Sequence, residues 1–153
     1  MGYQLPLEGL STRVSNLLAR RYITFEMLPA LSIHDLKAIW GLSENELWNE
    51  VVPSILAAGI ELRHVLEPRE EFLNEIYPDP RKIPASIMVF EEILFEDEVA
   101  RIKSARGQLR SREVPVYGDF TTLPRKKVLE KYRRTRCKRI EEELAKYNLT
   151  LRR

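Results

Sequence analysis

Between Arg125 and Arg139 the chain places nine basic residues in fifteen positions: Arg125, Lys126, Lys127, Lys131, Arg133, Arg134, Arg136, Lys138 and Arg139, against one acid, Glu130. Cations at this density neutralise phosphates, and each contact releases a counterion, so affinity for DNA falls steeply with salt. Arginine adds planar, bidentate recognition of phosphate oxygens. Such a cluster grips the backbone and carries no base-sequence information by itself. The competing reading is a solvated helix face balanced by Glu141, Glu142 and Glu143.

The other reactive residues point away from catalysis. Cys137 sits among cations that would lower its pKa were it exposed, but a lone cysteine at a helical position is more often a small core residue. His34 and His64 have no ligand set nearby in sequence. No phosphate-binding glycine loop, nucleophile elbow or spaced acid pair is present. The expectation is a non-catalytic protein with no cofactor and no metal.

With 153 residues the chain suffices for one ordinary domain or two very small ones. A hydrophobic fraction of 44% and a charged fraction of 31% describe a folded, well-solvated chain. No apolar run approaches the roughly 18 residues of a membrane span, and no secretory signal is visible in Met1 to Leu10. One cysteine excludes an internal disulfide, so a reducing, cytoplasmic setting is expected. The net charge of +2 hides an asymmetry: residues 1–76 carry 6 basic and 11 acidic residues, and residues 77–153 carry 19 and 12. The halves, at −5 and +7, are expected to face different partners, the basic one nucleic acid and the acidic one protein.

The elements that must position these residues are short helices. Ser11 or Thr12 caps a helix to about Arg21, with Val14, Leu17 and Leu18 apolar. Glu26 to Leu31 is a short turn. Ser32 caps a helix to Trp40 whose buried stripe is Leu36, Ile39 and Trp40, ended by Gly41. Ser43 and Glu46 form a capping box for a helix to about Ala58, with Leu47, Val51, Ile55 and Leu56 inward. Gly59 stops it. Residues 67–95, with Pro78, Pro80 and Pro84, are expected as a connector. Ala85 to Phe95 fits helix or strand. Val99, Ile102, Ala105 and Leu109 then recur at helical spacing. A break at Val114 to Gly118 precedes helices over Lys127–Tyr132 and Cys137–Tyr147, closed by Asn148. The apolar pattern of 55–62 returns at 144–151, and Asn16, Leu18 and Ile23 match Gly107, Leu109 and Val114 in spacing, an outline of an internal repeat.

Residues 5–63 resemble the C-terminal domain of the bacterial RNA polymerase alpha subunit. The resemblance runs through Leu10-Ser11-Thr12-Arg13-Val14-Ser15-Asn16-Leu17-Leu18 and Tyr22-Ile23-Thr24. It continues through Leu31-Ser32-Ile33-His34-Asp35-Leu36, Gly41-Leu42-Ser43 and Gly59-Ile60-Glu61-Leu62. That family is a compact helical fold with a helix-hairpin-helix, which contacts DNA phosphates and the minor groove and also binds transcription activators. The resemblance implies Arg13 as the groove-inserting arginine and Asn16 as its hydrogen-bonding neighbour. It departs at the hairpin, where the family carries glycine, lysines and serine and this chain carries Ser43, Glu44, Asn45 and Glu46. Carboxylates there repel phosphate. If the repeat holds, Tyr132 to Cys137 occupies the second hairpin.

The expected fold is therefore all-α, with two small helical units of this type, 1–66 and 96–153. The expected function is DNA binding in transcription. Its contacts are Arg13 and Asn16 in the first unit and Arg125, Lys126, Arg133, Arg134, Arg136 and Lys138 in the second. The partner is double-stranded DNA. The alternative is an adaptor docking on RNA polymerase or a transcription regulator without binding DNA itself. No membrane partner is expected.

Overall fold

The computed structural model describes residues 5–104 and 114–153. Among them the chain is mostly helical and has no strand; its extended pairings are single bridges, Pro84 with Val116 and Pro124 with Arg152. No helix there is long and apolar enough to cross a membrane. The chain divides into two compact units, Met1–Ile76 and Tyr77–Arg153.

In the first unit, α1 (Thr12–Arg20) starts where the Ser11 hydroxyl accepts from the Val14 amide. It buries Val14, Leu17 and Leu18, as their spacing predicts. A 3-10 turn, Leu28–Ala30, leads to α2 (Ile33–Lys37), which opens on a reciprocal capping box between Ser32 and Asp35. The Ser43–Glu46 box opens the next run: α3 (Glu44–Glu46), a π turn (Leu47–Val51) and α4 (Val52–Ala57). Pro53 explains the π turn. It has no N–H to give the carbonyl four residues back, and the wider turn absorbs the mismatch. Leu47, Val51 and Ile55 are buried, but Leu56 is exposed, contrary to the pattern.

Trp40 is also a correction. It is 73% exposed, because α2 ends at Lys37 and Trp40 falls in the following turn, outside the apolar stripe.

Of the segment expected as a connector, 67–95, the residues up to Ile76 fall in the first unit and those from Tyr77 in the second. Its first part forms α5 (Arg69–Ile76), which packs on the 3-10 turn and buries Leu73 completely. That burial alone is worth roughly 1.5–3 kcal/mol. Asp35 fixes the arrangement. Its carboxylate holds Arg63 at 2.9 Å and Arg69 at 2.7 Å, all three buried or nearly so. Arg63 also donates to the Ala30 carbonyl at 2.7 Å and to the Glu67 carbonyl, tying the 63–67 loop down.

The second part belongs to the second unit. The prolines break helix there, as expected, but the backbone between them is paired. Ala85 N–H donates to the Pro115 carbonyl and Tyr117 N–H to that of Ile83, each at 2.8 Å. Ile83, Ala85, Ile87 and Met88 are fully buried. The segment left open between helix and strand contains α6 (Ile87–Phe90). It is followed by α7 (Glu96–Ser104), with Val99 and Ile102 buried, and α8 (Tyr117–Thr121). Ala105, Gly107 and Leu109, which carried part of the repeat, lie outside the described residues.

The last helical run, α9 (Arg125–Ala145), contains one residue with non-helical dihedrals, Arg133 at φ 65°, ψ 173°. Buried Val128 and Tyr132 are four apart, and Cys137, Ile140 and Leu144 repeat at three and four; the gap of five across Arg133 resets the phase.

Candidate nucleic-acid interface

Arg133 is a turn point. The Arg125 Nε lies 3.1 Å from the Glu141 carboxylate. In a straight helix, residues sixteen apart stand about 24 Å apart along the axis. The chain must therefore fold back between them, and the non-helical residue sits midway. Segments 125–132 and 134–145 form two helical arms. The C-terminal tail holds the first arm's start: Arg125 N–H donates to the Arg152 carbonyl and Arg152 N–H to that of Leu123, both at 2.9 Å.

Arg133 adopts a conformation that is essentially reserved for glycine and costs on the order of 1–3 kcal/mol in any other residue. The fold enforces it from both sides. Tyr132 is buried and its hydroxyl is pushed up to about 12, first by burial and then by Glu98. Cys137 is fully buried, and burial followed by Glu141 raises its thiol above the ordinary value. It is a core residue, as its helical position favours.

The arms sort the cations into two classes. Arg136 is committed inward: its Nη1 donates to both Glu98 oxygens, and its guanidinium lies 4.9 Å from the Phe95 ring centre. Arg139 donates to the Glu91 and Glu92 carbonyls, each at 2.8 Å. Arg125 is exposed but paired with Glu141. Lys131 lies 5.2 Å from the Tyr132 ring, and its pKa is lowered by burial and by Arg101. Lys126, Lys127, Arg133, Arg134 and Lys138 are exposed and form no ion pair with any described residue. Sequence could not separate these classes, because Glu98, the carboxylate that claims Arg136, lies 38 residues away.

Nor do Glu141, Glu142 and Glu143 act together as a balancing face. Glu143 is 2% exposed; it accepts a 2.7 Å hydrogen bond from the Tyr117 hydroxyl and pairs with Lys146 at 3.0 Å. Glu141 is spent on Arg125.

In the first unit, Arg13 and Asn16 are both exposed on α1. Arg13 is engaged, its Nη2 donating to the Gly41 carbonyl at 2.9 Å and its Nε lying 3.3 Å from Glu46. The Glu46 carboxyl is held below its ordinary pKa by the Ser43 amide, then the Ser43 hydroxyl, with Arg13 adding to both. Beside it, Arg21 donates to the Trp40 carbonyl at 3.3 Å and stands 5.2 Å from the indole centre.

Positive-φ residues bracket the closing helical run in each unit. Gly41 at φ 92° precedes the closing helical run of the first, as Arg133 at φ 65° precedes the second arm. Gly59 at φ 76° and Asn148 at φ 61° end those runs. Each is followed by the same bond, Ile60 N–H to the Ile55 carbonyl and Leu149 N–H to that of Leu144, the mark of a left-handed helix cap.

His34 and His64 line one groove of the first unit. No cluster of three metal-ligating side chains occurs among the described residues. No family model matches the chain, and no curated protein or solved structure is similar to it.

Proposed function

We propose that this chain is a non-catalytic protein that binds double-stranded DNA in a transcription context. The grip is the turn between the arms of the second unit. Arg133, Arg134 and Lys138 contact phosphates there, Lys126 extends the contact along the first arm, and Arg125 adds charge while paired. Arg136 positions the second arm and does not face phosphate. The observation that carries the reading is that Arg133, Arg134 and Lys138, exposed and without an ion pair to any described residue, lie at and just beyond the fold-back at Arg133. Supporting it are the first unit's resemblance to the RNA polymerase alpha C-terminal domain and the positive-φ residues that bracket the closing run of each unit. In this reading both units are helix-hairpin-helix folds. The first has weakened DNA affinity, since Glu46 occupies Arg13, and Asn16 remains available.

Fluorescence anisotropy of labelled AT-rich and GC-rich duplexes across salt tests the proposal. Three to five phosphate contacts give a log–log salt slope of about −3 to −5.

A second reading is an adaptor that docks on RNA polymerase or a regulator through the first unit. The observation favouring it is a groove of about 550 Å³ lined by Ile33, His34, Leu62, His64 and Val65. Leu66, next in the chain, is 85% exposed. Absence of duplex binding at low salt, with the fold intact, selects this reading.

A further inference from the structure

We propose that the Trp40 turn of the first unit is a stacking site for an unpaired nucleotide, so that this unit contacts single-stranded nucleic acid. The site is separate from the duplex grip and does not depend on it.

The Trp40 indole occupies an unusual place. Tryptophan is on average a well-buried residue, and exposing 73% of one forgoes a large apolar burial. Here the exposure comes with rigid support. Both carbonyls of the turn are bound by arginines of α1 and its C-cap: that of Trp40 by Arg21 at 3.3 Å, that of Gly41 by Arg13 at 2.9 Å. Gly41 adopts φ 92°, and a Cβ there would stand 3.3 Å from Leu17, so the turn is seated closely on α1. The Arg21 guanidinium, 5.2 Å from the ring centre, fixes the indole's orientation. The ring is therefore preorganised and largely presented to solvent.

The charge around it is the second observation. The unit is acidic as a whole, but its six basic residues are not scattered. Arg63 and Arg69 are taken by Asp35. The other four are Arg13 and Arg20 on α1, Arg21 at its C-cap, and Lys37 at the end of α2, 5.6 Å from the Trp48 ring. Of the nearby carboxylates, Glu46 is held by Arg13 and the Ser43 amide, and Glu50 accepts from the Ser11 amide; Glu44 is exposed.

A fixed aromatic ring bordered by cations is the arrangement that holds unpaired bases. The ring stacks on the base, and the cations follow the backbone. A paired base in the interior of a duplex, stacked on both faces, offers none to such a ring. Arg21, over the ring, and Arg13, bound to the Gly41 carbonyl, are the cations beside it.

The test uses the intact chain carrying Trp48→Phe, which leaves Trp40 as the sole indole, titrated with a short oligothymidine while its fluorescence is followed. Quenching is expected with the single strand and not with a duplex of equal length. By anisotropy, Trp40→Ala should weaken single-strand binding at least about fivefold and leave duplex binding unchanged. Reversing Arg133 and Arg134 to glutamate should abolish duplex binding and leave the quenching intact, so the two sites fail separately. Equal quenching by duplex, no quenching by oligothymidine, or quenching by oligoglutamate alone would each overturn the proposal, the last by giving the surface to an acidic protein.

Discussion

Arg136 binds Glu98 through both carboxylate oxygens, at 2.9 and 2.7 Å, across 38 residues of sequence. The pair joins the second arm of α9 to α7, with the guanidinium also over Phe95. Arg136→Ala should therefore act on stability first. A charge-assisted bond of this kind contributes about 1.5–3 kcal/mol, and urea denaturation followed by circular dichroism should show a loss of that size. The salt slope of duplex binding should stay within error of wild type.

Arg13 and Glu46 offer the opposite experiment. Glutamine at position 46 preserves the capping box but removes the charge that engages Arg13. Glu46→Gln should tighten duplex binding and steepen the salt slope by about one contact. An unchanged slope means that Arg13 does not reach DNA. Because the Glu46 carboxyl is depressed, its contribution to stability is present above the ordinary glutamate pKa and is lost as pH falls through the lower, folded value. The glutamine variant should lack this acid-side loss.

Asp35 is the buried anion that two arginines share. Asp35→Ala strands both guanidinium groups, and breaking a buried pair in this way costs about 3–5 kcal/mol. Both tryptophans lie in the first unit. Indole fluorescence in a urea titration therefore isolates that unit, and its midpoint should fall sharply.

Tyr117 and Glu143 give the second unit an alkaline limit. Burial, then the Glu143 charge, holds the phenol well above its ordinary pKa. A raised pKa means that the folded state keeps a proton which the unfolded chain releases above about pH 10. Stability is intact below that value and falls as pH rises through it. Tyr117→Phe should reduce this alkaline dependence and leave the part that Tyr132 contributes. It should also cost about 1–3 kcal/mol at neutral pH, because the carboxylate loses a buried donor.

Local signals were legible in the sequence and long-range ones were not. Ser11, Ser32 and Ser43 announced their helices, because capping is decided within four residues. Gly59 and Asn148 announced the ends of theirs. The stripe that wrongly included Trp40 failed because α2 stops after five residues, and no periodicity can be read from so short a helix. Leu56 was misplaced because Pro53 forces a π turn that shifts the phase. The prolines of 78–84 suggested a linker, since proline speaks only of local helix-breaking. It says nothing of the partner backbone at 115–117 that pairs with Ile83 and Ala85, on either side of Pro84. In the candidate interface, sequence located the basic run but not the split within it. Nothing local distinguishes Arg136, which pairs with Glu98, from Arg134, which stays exposed.

The most direct test of the account is Arg133→Gly. The substitution deletes one cation and at the same time supplies the residue that φ 65°, ψ 173° favours. Duplex affinity across a salt series and the thermal midpoint should be measured on the same preparation. The account predicts opposite movements: a higher midpoint, with weaker binding and a salt slope shallower by about one. A higher midpoint with unchanged affinity and slope would contradict it. The turn would then be a structural hinge and not the place where this protein holds DNA.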